Sequence, residues 1–241
     1  MKKTISFVWN DALPLVQEGD DIWKIIVDHF TDILDWDVFV IAQKIVSKAE
    51  WRIINLEELH TSDQAKKLAE STWRSAWLCQ AIINESEEIL ESHWKVIVTK
   101  MKNGLICTSA GIDTSNIREW WKYVVLLPKD PDESAKLIQE QIEKITWLKI
   151  AIIINDSLGH PNRNGSIGMA IWISGIASLE KWNWEDLYWN TSQPKISLVD
   201  EIAAWASILM WQWNEGIPVV QVRWVKYTRD EKSSITDTIK G

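Results

Sequence analysis

Several tryptophans of this chain stand where the backbone, rather than a side chain, sets the requirement. The run from 20 to 34 has helical apolar spacing and Val38 to Ala42 reads as a buried strand, so Trp36 falls in a helix-to-strand turn. Such turns favour a residue that tolerates positive φ, usually glycine. Trp147 repeats the pattern between a helix predicted over Pro131 to Thr146 and a strand predicted over Leu148 to Asn155. A third case is Met210-Trp211-Gln212-Trp213-Asn214-Glu215-Gly216, a polar loop between an apolar helix, Val199 to Met210, and a strand, Ile217 to Val222. Composition is skewed to match, with 18 tryptophans against 9 glycines in 241 residues, whereas glycine ordinarily supplies about 7% of a globular chain. An aromatic platform for sugars or bases would set its indoles on alternate strand positions or along one helix face. These cluster in turns instead. The expectation is that most are glycines in the natural polypeptide, the source reading UGA as glycine. The alternative is a protein authentically rich in tryptophan.

The rest of the composition permits a large core: 46% of residues are hydrophobic and 25% charged. A net charge of -8 without a basic patch argues against nucleic acid as a partner. Two cysteines cannot build a disulfide framework, Met1-Lys2-Lys3-Thr4 leads into no apolar stretch of signal-peptide length, and Ile150 to Ile154 is far too short to span a bilayer. The expected setting is therefore the cytoplasm, with no membrane partner. Further strands are expected at Thr4 to Val8, Lys95 to Met101, Leu105 to Thr108, Tyr123 to Leu127 and Ser166 to Ser174, with helices near Ser62 to Thr72 and Ser75 to Leu90. Lys102-Asn103-Gly104 signals a tight hairpin. Strands and helices mix without strict alternation, so the fold class expected is α+β, with mixed, largely antiparallel sheets and flanking helices. Residues 1–227 read as a single domain and 228–241 as a polar, frayed tail.

Four polar loops next to apolar strands carry the candidate chemistry. The first, 43–52, offers Gln43, Lys44, Ser47, Lys48 and Glu50; lysines four apart beyond a buried strand suit an anion such as phosphate, or form a solvated basic turn. The second, Ala110 to Asn116, sets Asp113 among hydroxyls and an amide, hard oxygen donors of the kind magnesium and manganese prefer, or makes an ordinary Asx turn. The third, Asn155-Asp156-Ser157 running on to Asn164, puts a carboxylate at the end of the most apolar strand, to hold metal or to cap. The fourth, 211–216, becomes Gly-x-Gly-x-x-Gly with glycine restored, but a helix precedes it and a strand follows, the reverse of a dinucleotide fingerprint. Small residues there would leave backbone N–H groups free to form an anion nest, with Gln212 in reach of a metal or phosphate oxygen. No Gly-x-x-x-x-Gly-Lys-Ser/Thr, Gly-x-Ser-x-Gly or Cys-x-x-Cys occurs. The inventory of acids, amides, lysines and nests points to phosphate-and-metal chemistry.

The chain carries, in order, Leu13-Pro14-Leu15; Ile45-Val46-Ser47-Lys48-Ala49-Glu50-Trp51-Arg52; Ala110-Gly111-Ile112-Asp113-Thr114-Ser115-Asn116; Asn155-Asp156-Ser157-Leu158-Gly159-His160-Pro161; Asp200-Glu201-Ile202-Ala203-Ala204; and Met210 to Val220. In these motifs it resembles the coenzyme F420:L-glutamate ligases, γ-glutamyl ligases of the deazaflavin pathway, from Leu13 to about Trp224. That family has glycine where this chain shows Trp51, Trp211, Trp213 and Trp224, and usually arginine for His160.

The resemblance implies two intertwined subdomains, a homodimer, and a GTP-dependent ligase that needs magnesium or manganese, with K+ a further candidate. It would join L-glutamate to an acceptor carboxylate through an acyl phosphate. By resemblance, Asp113 and Asp156 would hold one metal, Ser157 and Gln212 a second, and Asp113, Asp156 and Lys48 would be the catalytic set. Leu13, Pro14, Leu15, Val16, Gln43, Lys44, Lys48, Asn116, Met210, Trp211, Gln212, Trp213, Asn214, Glu215, Gly216 and Ile217 would contact nucleotide. Competing readings are a γ-glutamyl ligase for a folate-type acceptor and a non-catalytic tryptophan-rich binding module.

Overall fold

The computed structural model describes residues 4–159, 164–181, 184–185, 187–210 and 214–239. The chain opens with β1 (Ser6–Trp9), α1 (Ile22–His29), β2 (Val38–Ala42) and α2 (Gln43–Ala49). A second unit follows: β3 (Ile53–Asn55), α3 (Asp63–Thr72), α4 (Ala76–Glu85), β4 (Glu88–His93), β5 (Val96–Lys100), β6 (Ile106–Thr108) and β7 (Tyr123–Val125). The chain returns through α5 (Pro131–Thr146), β8 (Ala151–Gly159) and β9 (Ser166–Ser174). Four two-residue strands come next, β10 (Glu180–Lys181), β11 (Trp184–Glu185), β12 (Thr191–Ser192) and β13 (Lys195–Ile196), before α6 (Leu198–Met210) and β14 (Val219–Arg223).

The principal sheet has the order β1-β14-β2-β8-β9, antiparallel throughout except for the parallel pair β2/β8, and the smaller sheets are antiparallel. The α+β expectation therefore holds. In β2 the first four residues, Val38 to Ile41, are fully buried, as are Ala151 to Ile154 of β8. Apolar runs of that kind suit a strand pair covered on both faces. Helix α6 packs on β9 and β14, and α5 on β8, β9 and α1. The second unit has cores of its own, one built on Leu68, Cys79, Ile82 and Ile97, another on Leu56, Val124 and Leu126.

Local signals explain the best-defined helix. The Asp130 side chain accepts from Glu133 N–H, Pro131 occupies the first turn, and Trp147 ends α5 in the left-handed region at φ 62°. Trp36 is likewise left-handed, at φ 70°, as the turn requires. Trp211 and Trp213 lie outside the described residues.

Four expectations need correction. Residues 43–49 form helix α2 rather than a loop. Strand β8 runs on to Gly159, so Asp156 and Ser157 stand on a strand, paired with Met169 and Gly168 of β9. The helix expected to reach Leu90 stops at Glu85, because 88–93 pair with β5 as β4. The described part of the tail, 228–239, is packed, not frayed: the Thr228 N–H and hydroxyl donate to Glu180 at 2.6 and 2.8 Å, Arg229 pairs with Glu143 at 2.6 Å, and Ile235 is buried. Among the described residues no helix is long and apolar enough to cross a membrane.

Candidate functional site

The parallel pairing of β2 with β8 sets Ala42, the last residue of β2, opposite Asn155, so β2 ends beside the stretch of β8 that carries Asp156. Ligands of open α/β sheets gather at such ends. From there β2 passes straight into α2, which carries Gln43, Lys44 and Lys48, while β8 presents Asp156. The end of α6 comes to the same place: Asn155 Nδ2 donates to Ser207 Oγ at 2.9 Å and to Met210 Sδ at 3.6 Å. The loop after α6 returns beside it, since Ala42 N–H donates to Pro218 O at 2.8 Å. Met210 and Pro218 therefore both lie beside this strand end.

The second unit contributes Asp113. Its backbone exchanges two hydrogen bonds with Val125 of β7, each 2.9 Å, which fixes the loop to a strand. Upstream, buried Thr99 Oγ1 accepts from Ala110 N–H and donates to Cys107 O, both at 3.0 Å. Ser109, Ala110 and Asn116 all take left-handed backbone conformations at φ 53 to 54°. Strain of this sort is kept only where the surroundings impose it, and it concentrates at functional sites. Gly111 is required here: at φ +66° a Cβ would lie 2.6 Å from Leu127.

The side chains then converge. Lys44 Nζ lies 2.8 Å from Asp113 Oδ2 and donates to Ser115 Oγ at 2.6 Å. Lys48 Nζ donates to Asn116 O at 2.8 Å, and Ser115 N–H donates to Asp113 Oδ1 at 2.6 Å. Buried Gln43 donates to Ser47 Oγ at 2.5 Å. Burial pushes the Asp156 carboxyl up to about 7; the Ser157 N–H opposes the shift, the Asp113 charge adds to it, and Lys44 opposes it. Burial also lowers Lys48, with the charge of Lys44 adding to the shift and Asp113 opposing it. Two carboxylates and two ammonium groups thus share one electrostatic field.

This donor set suits a hard divalent cation. Among the described residues no three His, Cys, Asp or Glu side chains cluster as a self-sufficient metal cage. Two carboxylates flanked by hydroxyls match the way magnesium is usually held, by one or two carboxylates with the remaining positions left to water and phosphate. Repulsion between Asp113 and Asp156, registered in the raised carboxyl, is what a divalent charge would relieve.

Of the residues singled out in the sequence, Lys44, Lys48, Asp113, Asn116 and Asp156 come together, with Ser157 next along β8 and exposed. Leu13 packs on the main core, Val16 is buried, Pro14 and Leu15 are exposed, and this segment reaches α2 where Gly19 N–H donates to Ala49 O at 2.9 Å. Asn214, Glu215 and Gly216 are exposed, and Ile217 packs on the core. Trp211, Gln212, Trp213 and His160 lie outside the described residues. Sequence reading counted the Ser115 hydroxyl only among the oxygen donors around Asp113, and did not single out Thr99 or the Asn155–Ser207 bond. Ser115 carries a local signal, two positions beyond an aspartate, whereas Thr99 and Asn155 act through partners remote in sequence.

The family model described as F420-0:Gamma-glutamyl ligase matches residues 11–223. A coenzyme F420:L-glutamate ligase of Methanothermobacter thermautotrophicus is 38% identical over 225 residues, covering 91% of this chain and 88% of the relative. The enzyme of the same name from Archaeoglobus fulgidus is 39% identical over 215 residues, 88% of this chain and 85% of the relative. That of Methanocaldococcus jannaschii is 36% identical over 215 residues, 88% and 84% respectively.

Proposed function

The chain belongs to the F420-0:gamma-glutamyl ligase family, and from that premise we propose that it uses GTP and a divalent metal to join L-glutamate to the carboxylate of a coenzyme F420 precursor. The observation that carries this reading is the convergence of Asp113 and Asp156 with Lys44 and Lys48 at the carboxyl end of the β2/β8 pair. A carboxylate is a poor electrophile. An acceptor carboxylate oxygen therefore attacks the γ-phosphorus, the bond from that phosphorus to the leaving GDP oxygen breaks, and an acyl phosphate forms. The glutamate amine then attacks the acyl carbon, phosphate departs with the C–O electrons, and the amine loses a proton to solvent.

Chemistry of this kind depends on positioning and on charge stabilisation rather than on a protein nucleophile. Lys44 and Lys48 would meet the polyphosphate, while Asp113 and Asp156 would hold magnesium or manganese. When bound, the metal supplies the positive charge that the transferring phosphoryl group needs. Ser157 and Gln212 are the candidates for a second metal position, and K+ is a further candidate ion. The active unit is proposed to be a homodimer. The test is incubation of purified protein with GTP, L-glutamate, magnesium or manganese and F420-0, following phosphate release and a product one glutamyl residue heavier. Parallel reactions replace GTP by ATP and the acceptor by tetrahydrofolate. Product with tetrahydrofolate alone would move the assignment to a folate-type ligase, and no ligation with any acceptor would remove the reading.

A further inference from the structure

We propose that Lys44 is the resident counter-ion of this site, competing with a divalent cation for Asp113 and released from it when an anion draws the ammonium away. The proposal rests on the reading of Asp113 as a metal ligand. The Lys44 ammonium is 2.8 Å from Asp113 Oδ2, bonds Ser115 Oγ at 2.6 Å, and its side chain is only 20% exposed. It thus occupies the oxygen face that a cation would need, and two cations cannot share Asp113 Oδ2 without strong repulsion. Lys44 has somewhere to go. It sits in the first turn of α2 on a flexible stem, and Lys48 lies one turn further on, on the same helix face, with its ammonium on Asn116 O. An anion between the two lysines would take Lys44 from Asp113 and open that carboxylate. Anion and metal would then each favour the other's binding, by reciprocity.

The test is metal affinity itself, with Mn2+ titrated into the nucleotide-free protein and read by electron paramagnetic resonance. Lys44→Met and Lys44→Gln should both bind Mn2+ more tightly than the parent, on the order of fivefold or more, while inorganic tripolyphosphate binds both variants less tightly in the absence of metal. Asp113→Asn should lose Mn2+ binding. Asp113-dependent binding that is no tighter in either Lys44 variant overturns the competition and leaves the metal reading standing. Absence of any Asp113-dependent Mn2+ binding in the parent and in both Lys44 variants overturns both.

A separate observation carries a second inference. Among the described residues eleven non-glycine residues have positive φ, and six are tryptophan: Trp36, Trp51, Trp73, Trp147, Trp189 and Trp224, at φ 58 to 70°. A residue type holding 18 of 241 positions supplies more than half of the conformations that disfavour a Cβ. The six residues run from 48% exposed at Trp36, whose ring meets Tyr227, to 86% at Trp147, so none of the six is held in the core. Trp73 and Trp147 end α3 and α5 with their N–H groups bonded to Ala69 O and Glu143 O, a place where helices ordinarily put glycine. We infer that these six positions are glycine in the natural polypeptide, encoded by UGA read as glycine. Peptide mass spectrometry of the chain from its natural source should find glycine at all six, over UGA codons. UGG codons or tryptophan-bearing peptides at these positions overturn it.

Discussion

Replacing Trp147 by glycine should stabilise the protein, the reverse of what removing an indole usually does. Trp147 is 86% exposed, so its ring buries almost nothing, and its backbone is held at φ 62°, ψ 12° by the bond from its N–H to Glu143 O. A side chain with a Cβ costs ~1–2 kcal/mol in that conformation. Glycine gives back ~0.5–1 kcal/mol through the greater freedom of its unfolded chain. The balance favours Trp147→Gly by ~0.5–1 kcal/mol, a rise in melting temperature of about 1–4 °C for a chain of this size. Trp147→Ala is the control, because alanine removes the indole and keeps the Cβ. Urea unfolding of parent, alanine and glycine variants should give the highest midpoint for glycine, at an unchanged slope. A glycine variant no more stable than the alanine variant refutes the argument from backbone strain, and the inference about the natural sequence with it.

Asp156→Ala should lower metal-dependent GTP turnover by ~10²-fold or more; near-normal turnover removes this carboxylate from the site. Although burial opposes the shift, hydrogen bonds from Lys149, Gln139, Arg229 and the Ile150 N–H hold Glu143 down to about 2. Since the folded-state value is depressed, the stability it confers is complete above the unfolded value and is lost as pH falls from about 4.5 to 2. Glu143→Gln should flatten acid unfolding over that window by about 1–2 kcal/mol once solvent screening of this partly exposed group is allowed for, and an unchanged acid-unfolding curve counts against the network. At Gly168 a Cβ would sit 1.7 Å from Ser207 Oγ and 3.0 Å from Ala203 O, so Gly168→Ala should lower stability by ~1–3 kcal/mol in denaturant melts.

What could be read in advance follows from how local each signal is. Helix α5 was legible residue for residue because Pro131 and the apolar spacing lie within it and the capping Asp130 directly precedes it. Strand β2 was legible because a strand buried on both faces is a plain apolar run. Helix α2 was not: it begins directly after the last residue of a strand, its N-cap Ala42 offers no side-chain cap, and its polar composition reads as a loop. Nor was the extension of β8 through Asp156, since the ladder that keeps 156–159 extended comes from β9 across the hairpin. The same holds for β4, which looked helical because nothing between Ser75 and Leu90 records the pairing with β5.

By itself the sequence determined the α+β class, the candidate site's ingredients, and the left-handed turns at Trp36 and Trp147, because capping, periodicity and turn preference act between near neighbours along the chain. Only the tertiary structure decided that Lys44 rests on Asp113, from a loop 69 positions away, and that Asp156 shares their field. Those contacts depend on the parallel register of β2 with β8 and on the clamp of Asp113 to β7, hydrogen bonds between segments remote in sequence whose partners no local pattern encodes.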